Sequence, residues 1–134
     1  MRRRGIRRRF RAAAPLTTEE LVELGAHPLV SIGVHTVHHV RLPSAGADAR
    51  RELMDARDQL DRLTGRAPRA LAYPHGDTSP EVAALAASAG FTCAVTTDHR
   101  WAGFGDDRMM LPRLTVTDVP GPELQLLLEA ARRR

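Results

Sequence analysis

The chain has no lysine, a single cysteine (Cys93), a single tryptophan (Trp101) and a single tyrosine (Tyr73). A lone cysteine excludes an intrachain disulfide and a cysteine-rich zinc module. Its place beside Ala94 and Val95 reads as a small buried side chain rather than a nucleophile. Aromatic residues make up 4% of the chain, so the large side chains that dominate broad protein interfaces are scarce. The glycines are scattered singly, which excludes a phosphate-cradling loop, and no apolar run is long enough to span a membrane.

What remains is the composition of a globular chain, 43% hydrophobic and 27% charged. Its 134 residues suit one domain that buries roughly two thirds of its extended surface. The net charge of +4 hides a division. Seven arginines precede residue 12 and three close the chain, leaving ten arginines against sixteen acidic side chains between them, a net of −6. An acidic body argues against nucleic acid as a partner, because backbone recognition needs basic groups spread over a folded surface. Arginine's bidentate geometry is not needed at twenty places, so its exclusive use points to base composition of the gene. No apolar core follows the first arginine run, so it is neither a finished secretory signal nor a membrane span. It reads as an arm for an anionic surface, a processed remnant, or translated upstream sequence. The absence of a signal places this chain in the cytoplasm, or at the envelope or outside the cell if N-terminal residues are missing.

Residues 1–15 lack an apolar period and are expected to be a disordered tail, with one partial domain over 16–134. Thr17 and Glu20 form a capping box for a short helix ending at Gly25. Leu29 to Val34 reads as a strand that ends on His35. Over 48–64, Leu53, Leu60 and Leu63 share a helix face, and Gly65 stops it. Ala70 to Pro74 is a brief strand opening into the loop His75 to Ser79, and Ser79-Pro80 starts a helix that ends at Gly90. Phe91 to Thr96 and Leu114 to Val116 read as strands around a long loop, and 122–133 as a final helix whose arginines suit its negative end. This alternation predicts an α/β layer of parallel strands, with ligand sites at the carboxyl ends of strands, where His35, Pro74 and Thr97 fall.

His35 and His39 stand four apart. One helical turn after the strand would put both imidazoles on one face about 6 Å apart, close enough to share a metal. Histidine favours zinc, cobalt or nickel over hard oxygen-loving cations. On spacing alone, with His38 between them, ordinary surface or hydrogen-bonded histidines are a better reading than a metal pair.

The stretch from Ser31 through His35, Thr36 and His39 to Leu42 resembles the metal-binding segment of the polysaccharide deacetylases, the NodB-homology or family-four carbohydrate esterases, whose motif is His-Ser/Thr-any-any-His. Further features match in order: the helix ending Leu63-Thr64-Gly65, the segment Leu71-Ala72-Tyr73-Pro74-His75-Gly76, Ala89-Gly90-Phe91, and Leu111-Pro112-Arg113. The resemblance implies a partial deformed (β/α) barrel and a divalent metal, zinc or cobalt, that hydrolyses acetyl groups on a carbohydrate polymer. It implies that His35 and His39 ligate the metal and that Thr36 steadies their loop. Tyr73, Pro74 and Gly76 would form a groove wall, and the His75 backbone amide would meet the oxyanion. Trp101 is a candidate sugar-stacking platform, or a cap on an apolar edge.

The chain also departs from the family's pattern. An early Asp-Asp motif, which supplies a ligand and the general base, has no counterpart before His35. Ala72 stands at the groove arginine, and Leu-Pro-Arg brings Arg113 where a late histidine is sought. Asp77, Asp98, Asp106 and Asp107 are the local carboxylates that could stand in as a third ligand. The chain is therefore expected to be the carboxyl-side part of such a barrel, with weak or absent deacetylase activity and self-association through an exposed core edge. The alternative is an inactive carbohydrate-binding or structural remnant of the same fold.

Overall fold

The computed structural model describes residues 15–116 and 118–132. Except for Pro15, the arginine-rich stretch lies outside the described residues, as do the side chains of the last arginines.

Helix α1 (Thr18–Gly25) starts on the capping box, with the Thr17 hydroxyl accepting from the Glu20 N–H and the Glu20 carboxylate accepting from the Thr17 N–H. Such a cap is worth about 1 kcal/mol. Helix α2 (Asp48–Thr64) closes on Gly65, whose φ of 67° is a left-handed stop. Its buried stripe is Ala49, Leu53 and Ala56, with Met54 and Leu60 packed against the core. Leu63, one turn before the stop, is left exposed. Helix α3 (Pro80–Ser88) has Ser79 as N-cap, Pro80 in its first turn and Val82, Ala83 and Ala86 buried. Helix α4 (Gly121–Arg132) ends the described chain.

Strands β1 (Ala70–Ala72) and β2 (Cys93–Val95) pair in parallel, Leu71 opposite Ala94. Single parallel bridges extend the ladder on both sides, Val34 to Leu71 and Leu111 to Val95. Four parallel segments thus lie side by side in chain order, α2 and α3 providing the first two crossovers. The result is an open portion of a deformed barrel rather than a closed one. Val34, Leu53, Leu71, Tyr73, Ala86, Phe91 and Ala94 form its core.

Two expected strands are shorter than the sequence suggests. Of Leu29 to Val34 only Val34 pairs, giving its N–H to the Ala70 carbonyl and accepting from the Ala72 N–H. Leu114 to Val116 does not pair; Leu111 takes that place, accepting from the Thr96 N–H and donating to the Ala94 carbonyl. The Arg113 N–H, next in line to continue the ladder, goes instead to the Asp98 carbonyl at 3.0 Å. The Arg113 guanidinium then occupies the Thr96 carbonyl at 2.7 Å.

Candidate functional site

The carboxyl ends of the parallel segments converge on three histidines. His35 follows Val34, and its Nδ1 lies 2.7 Å from the Ala72 carbonyl oxygen at the end of β1. A carbonyl only accepts, so this contact fixes the proton on Nδ1 and leaves Nε2 with a free lone pair, the arrangement of a metal-binding imidazole.

The chain between His35 and His39 is not helical. Thr36 and His39 both have positive φ, 65° and 57°, and the Thr36 hydroxyl accepts from the His39 N–H at 3.0 Å. This tight left-handed loop, rather than a helical turn, brings the His35 and His39 rings to 4.8 Å between centroids.

His75 arrives from the other side. It lies in the turn Pro74–Gly76 with a φ of 60°, and its ring packs edgewise on His39 at 4.7 Å between centroids. The turn spends the Gly76 N–H on the Tyr73 carbonyl and the Asp77 N–H on the Pro74 carbonyl. The Thr97 hydroxyl donates to the His75 carbonyl, fastening the turn to the end of β2. Gly76, at φ 70°, allows this approach: a Cβ there would collide with the Thr97 hydroxyl and backbone nitrogen.

Tyr73 and Pro74, expected on the groove wall, are fully buried and support the turn from behind. The Tyr73 hydroxyl donates to the Met109 carbonyl at 2.8 Å. Burial, followed by the field of Asp107, pushes its pKa up against an opposing hydrogen bond from Thr78, so it is a donor at neutral pH. Trp101 is partly exposed and its indole N–H donates to the Leu128 carbonyl of α4, so its polar contact runs to that helix.

The four candidate carboxylates are engaged elsewhere. Asp77 accepts from Arg41, Asp98 and Asp106 both bind Arg100, and Asp107 accepts from the Met109 N–H. Among the described residues no three histidine, cysteine or acidic side chains form a group able to hold a metal. The donor set therefore fits a divalent ion only in part, through the His35 and His39 nitrogens.

Sequence reasoning missed Glu52 and the side chain of His75. Glu52, on α2, accepts from the Val37 and His38 N–H groups and from the His38 ring. Both contacts join segments far apart in the chain: Glu52 stands in no motif, and the motif around His75 signals its backbone amide rather than its ring.

The model of the family described as polysaccharide deacetylase matches residues 9–94. The chain belongs to the polysaccharide deacetylase family. Among solved structures, it is similar to the Streptococcus pyogenes deacetylase PplD in complex with acetate, at 29% identity and a TM-score of 0.77 over 86% of this chain and 51% of that one. Two further structures share the fold. They are the putative polysaccharide deacetylase BA0330 from Bacillus anthracis, at 21% identity and TM-score 0.75 over 90% of this chain and 38% of that one, and BC0361, a polysaccharide deacetylase from Bacillus cereus, at 22% and 0.74 over 84% and 36%. This deacetylase-family chain spans about half the length of the first relative and less of the other two. No curated protein matches it. No helix among the described residues is long and apolar enough to cross a membrane.

Proposed function

We propose that this chain is a carbohydrate-binding portion of a polysaccharide deacetylase that does not turn over substrate by itself. The observation that carries this reading is the half-built metal site: two imidazoles held edge to face by the Thr36 loop, with no group of three donors able to hold a metal and no free carboxylate beside them among the described residues. His35 and His39 would hold the divalent ion, most naturally zinc and alternatively cobalt. When bound, such an ion polarises an acetyl carbonyl and acidifies a water.

The chain's own residues supply the rest. The His35 contact to Ala72 sets the tautomer that offers Nε2 outward. The amides of Gly76 and Asp77 are spent within the turn, and the His75 N–H, outside that pairing, is the donor left for an acetyl oxygen. The exposed His35, His39 and His75 rings form the floor on which an acetylated sugar would rest. With two ligands and no poised base to take a proton from water, binding outlasts chemistry.

A second reading is supported by the family match and by the acetate in the Streptococcus pyogenes relative: hydrolysis of N-acetyl or O-acetyl groups once further chain supplies the missing carboxylates. Titrating purified protein with N-acetylglucosamine oligomers and acetylated xylan oligomers while following acetate release separates the two. Binding without acetate is the expected result. Acetate release that disappears in His35→Ala would establish the second reading.

A further inference from the structure

Glu52 lies on the second turn of α2, immediately before Leu53, which is fully buried, so the core fixes its backbone. Its two carboxylate oxygens receive three donors from the metal-binding loop. Oε2 accepts from the Val37 N–H at 3.0 Å and from the His38 N–H at 2.9 Å, and Oε1 lies 2.7 Å from Nδ1 of His38. The carboxylate is only 12% exposed, whereas the His38 ring above it is 73% exposed.

The position of these contacts gives them their consequence. Thr36 and His39 both hold left-handed backbone conformations that non-glycine residues avoid, and two of them in four residues persist only where the surroundings over-determine them. The peptide units between those two residues are the ones Glu52 takes. The next N–H, that of His39, goes to the Thr36 hydroxyl. Three successive amides are therefore satisfied by side chains, two by the Glu52 carboxylate and one by the Thr36 hydroxyl. Remove the carboxylate and the amides of residues 37 and 38 lose their acceptor, freeing the loop to relax and carry the His39 ring away from His35.

We propose that Glu52 is a positioning residue: it does not meet the metal or the sugar, but sets the spacing of His35 and His39 through the loop it clamps. In its metal-binding part the proposal rests on the functional reading above. Glutamine at this position keeps one oxygen for the amides and can donate its NH2 to the other tautomer of His38, so it should preserve part of the effect. Alanine should preserve none.

The test uses the full chain as wild type, Glu52→Ala, Glu52→Gln and, as a control at an exposed carboxylate of the same helix, Asp55→Asn. Two quantities are read: zinc affinity by competition with a chromophoric chelator, and the ring signals of His35 and His39 by NMR in metal-free protein. Loss of a residue that orients ligands lowers metal affinity roughly tenfold to hundredfold. That loss is expected in Glu52→Ala, with a smaller one in Glu52→Gln and none in Asp55→Asn, alongside shifted histidine ring signals and unchanged signals from Leu71 and Ala94. A folded Glu52→Ala with wild-type zinc affinity and wild-type ring signals overturns the proposal. If wild type takes up no zinc, the metal reading fails separately and the ring signals alone decide the role of Glu52. If Glu52→Ala does not fold, Glu52→Gln decides it by the same signals.

Discussion

The imidazole of His75 packs edgewise against that of His39, 4.7 Å between centroids, although the two residues belong to different loops separated by the whole of α2 and β1. Each holds a positive φ, so two strained loops meet ring to ring at the carboxyl ends of adjacent parallel segments. Such strain at a convergence of loops marks a site rather than a connector.

His75→Gly removes the left-handed penalty of about 1 kcal/mol and adds backbone freedom in the unfolded chain of about the same size. Chemical denaturation should therefore show little net change in stability. The His39 ring signals should move as the neighbouring ring is lost. Unmoved signals would mean the two rings do not touch in solution.

Gly76 and Gly65 both have positive φ, but only Gly76 is crowded. Gly65→Ala should cost about 1 kcal/mol for its backbone conformation alone. Gly76→Ala should cost that plus roughly 1–3 kcal/mol from displacing Thr97. Urea midpoints of the two variants measure the difference, and equal midpoints would refute the close approach of the turn to β2.

The order of the elements was legible because each carries a local signal. The Thr17 and Glu20 capping box, the Gly65 stop and the Ser79-Pro80 start are written within a few residues, and all three are observed. What failed depended on distant partners. Leu29 to Val34 has the composition of a strand, but only Val34 finds a neighbour, and Leu111 pairs in place of Leu114, the ladder ending where the Arg113 N–H turns to the Asp98 carbonyl. The histidine pair was visible in its spacing, yet the geometry joining it is a left-handed loop held by Glu52, thirteen positions further on and on another element. Nothing local in the chain announces that a carboxylate of α2 faces inward to three donors. Tyr73 is buried and its hydroxyl bonds to the Met109 carbonyl 36 positions on, a contact that no local pattern signals.

Arg100 binds Asp106 through both nitrogens of its fork and Asp98 through Nε, tying down the loop after β2. The Arg100 guanidinium, with help from the Gly103 N–H, lowers the Asp106 pKa from 3.8 to about 2. A carboxylate depressed in the folded state stabilises it above the unfolded value and loses that contribution as pH falls. Carboxyl signals followed by NMR should show Asp106 titrating near its lowered value, with the loop loosening between pH 3.8 and about 2. Titration at the ordinary value would mean the ion pair does not persist in solution.

Tyr73→Phe deletes the hydroxyl bonded to Met109 and leaves that carbonyl without its partner. The expected loss is about 1 kcal/mol, read from thermal or urea unfolding. A larger loss of carbohydrate binding than of stability would instead place Tyr73 in contact with the sugar.

The proposed function requires His35 and His39 to hold a metal through two nitrogens, with no third ligand from the described residues. Zinc content by mass spectrometry, measured on tag-free wild type and on the His35→Ala, His39→Ala double variant before and after gel filtration against a weak chelator, tests it most directly. Zinc uptake by wild type that the double variant lacks and that the chelator strips away is the expected result. Zinc retained through the chelator in wild type, or equal uptake by the double variant, would contradict it.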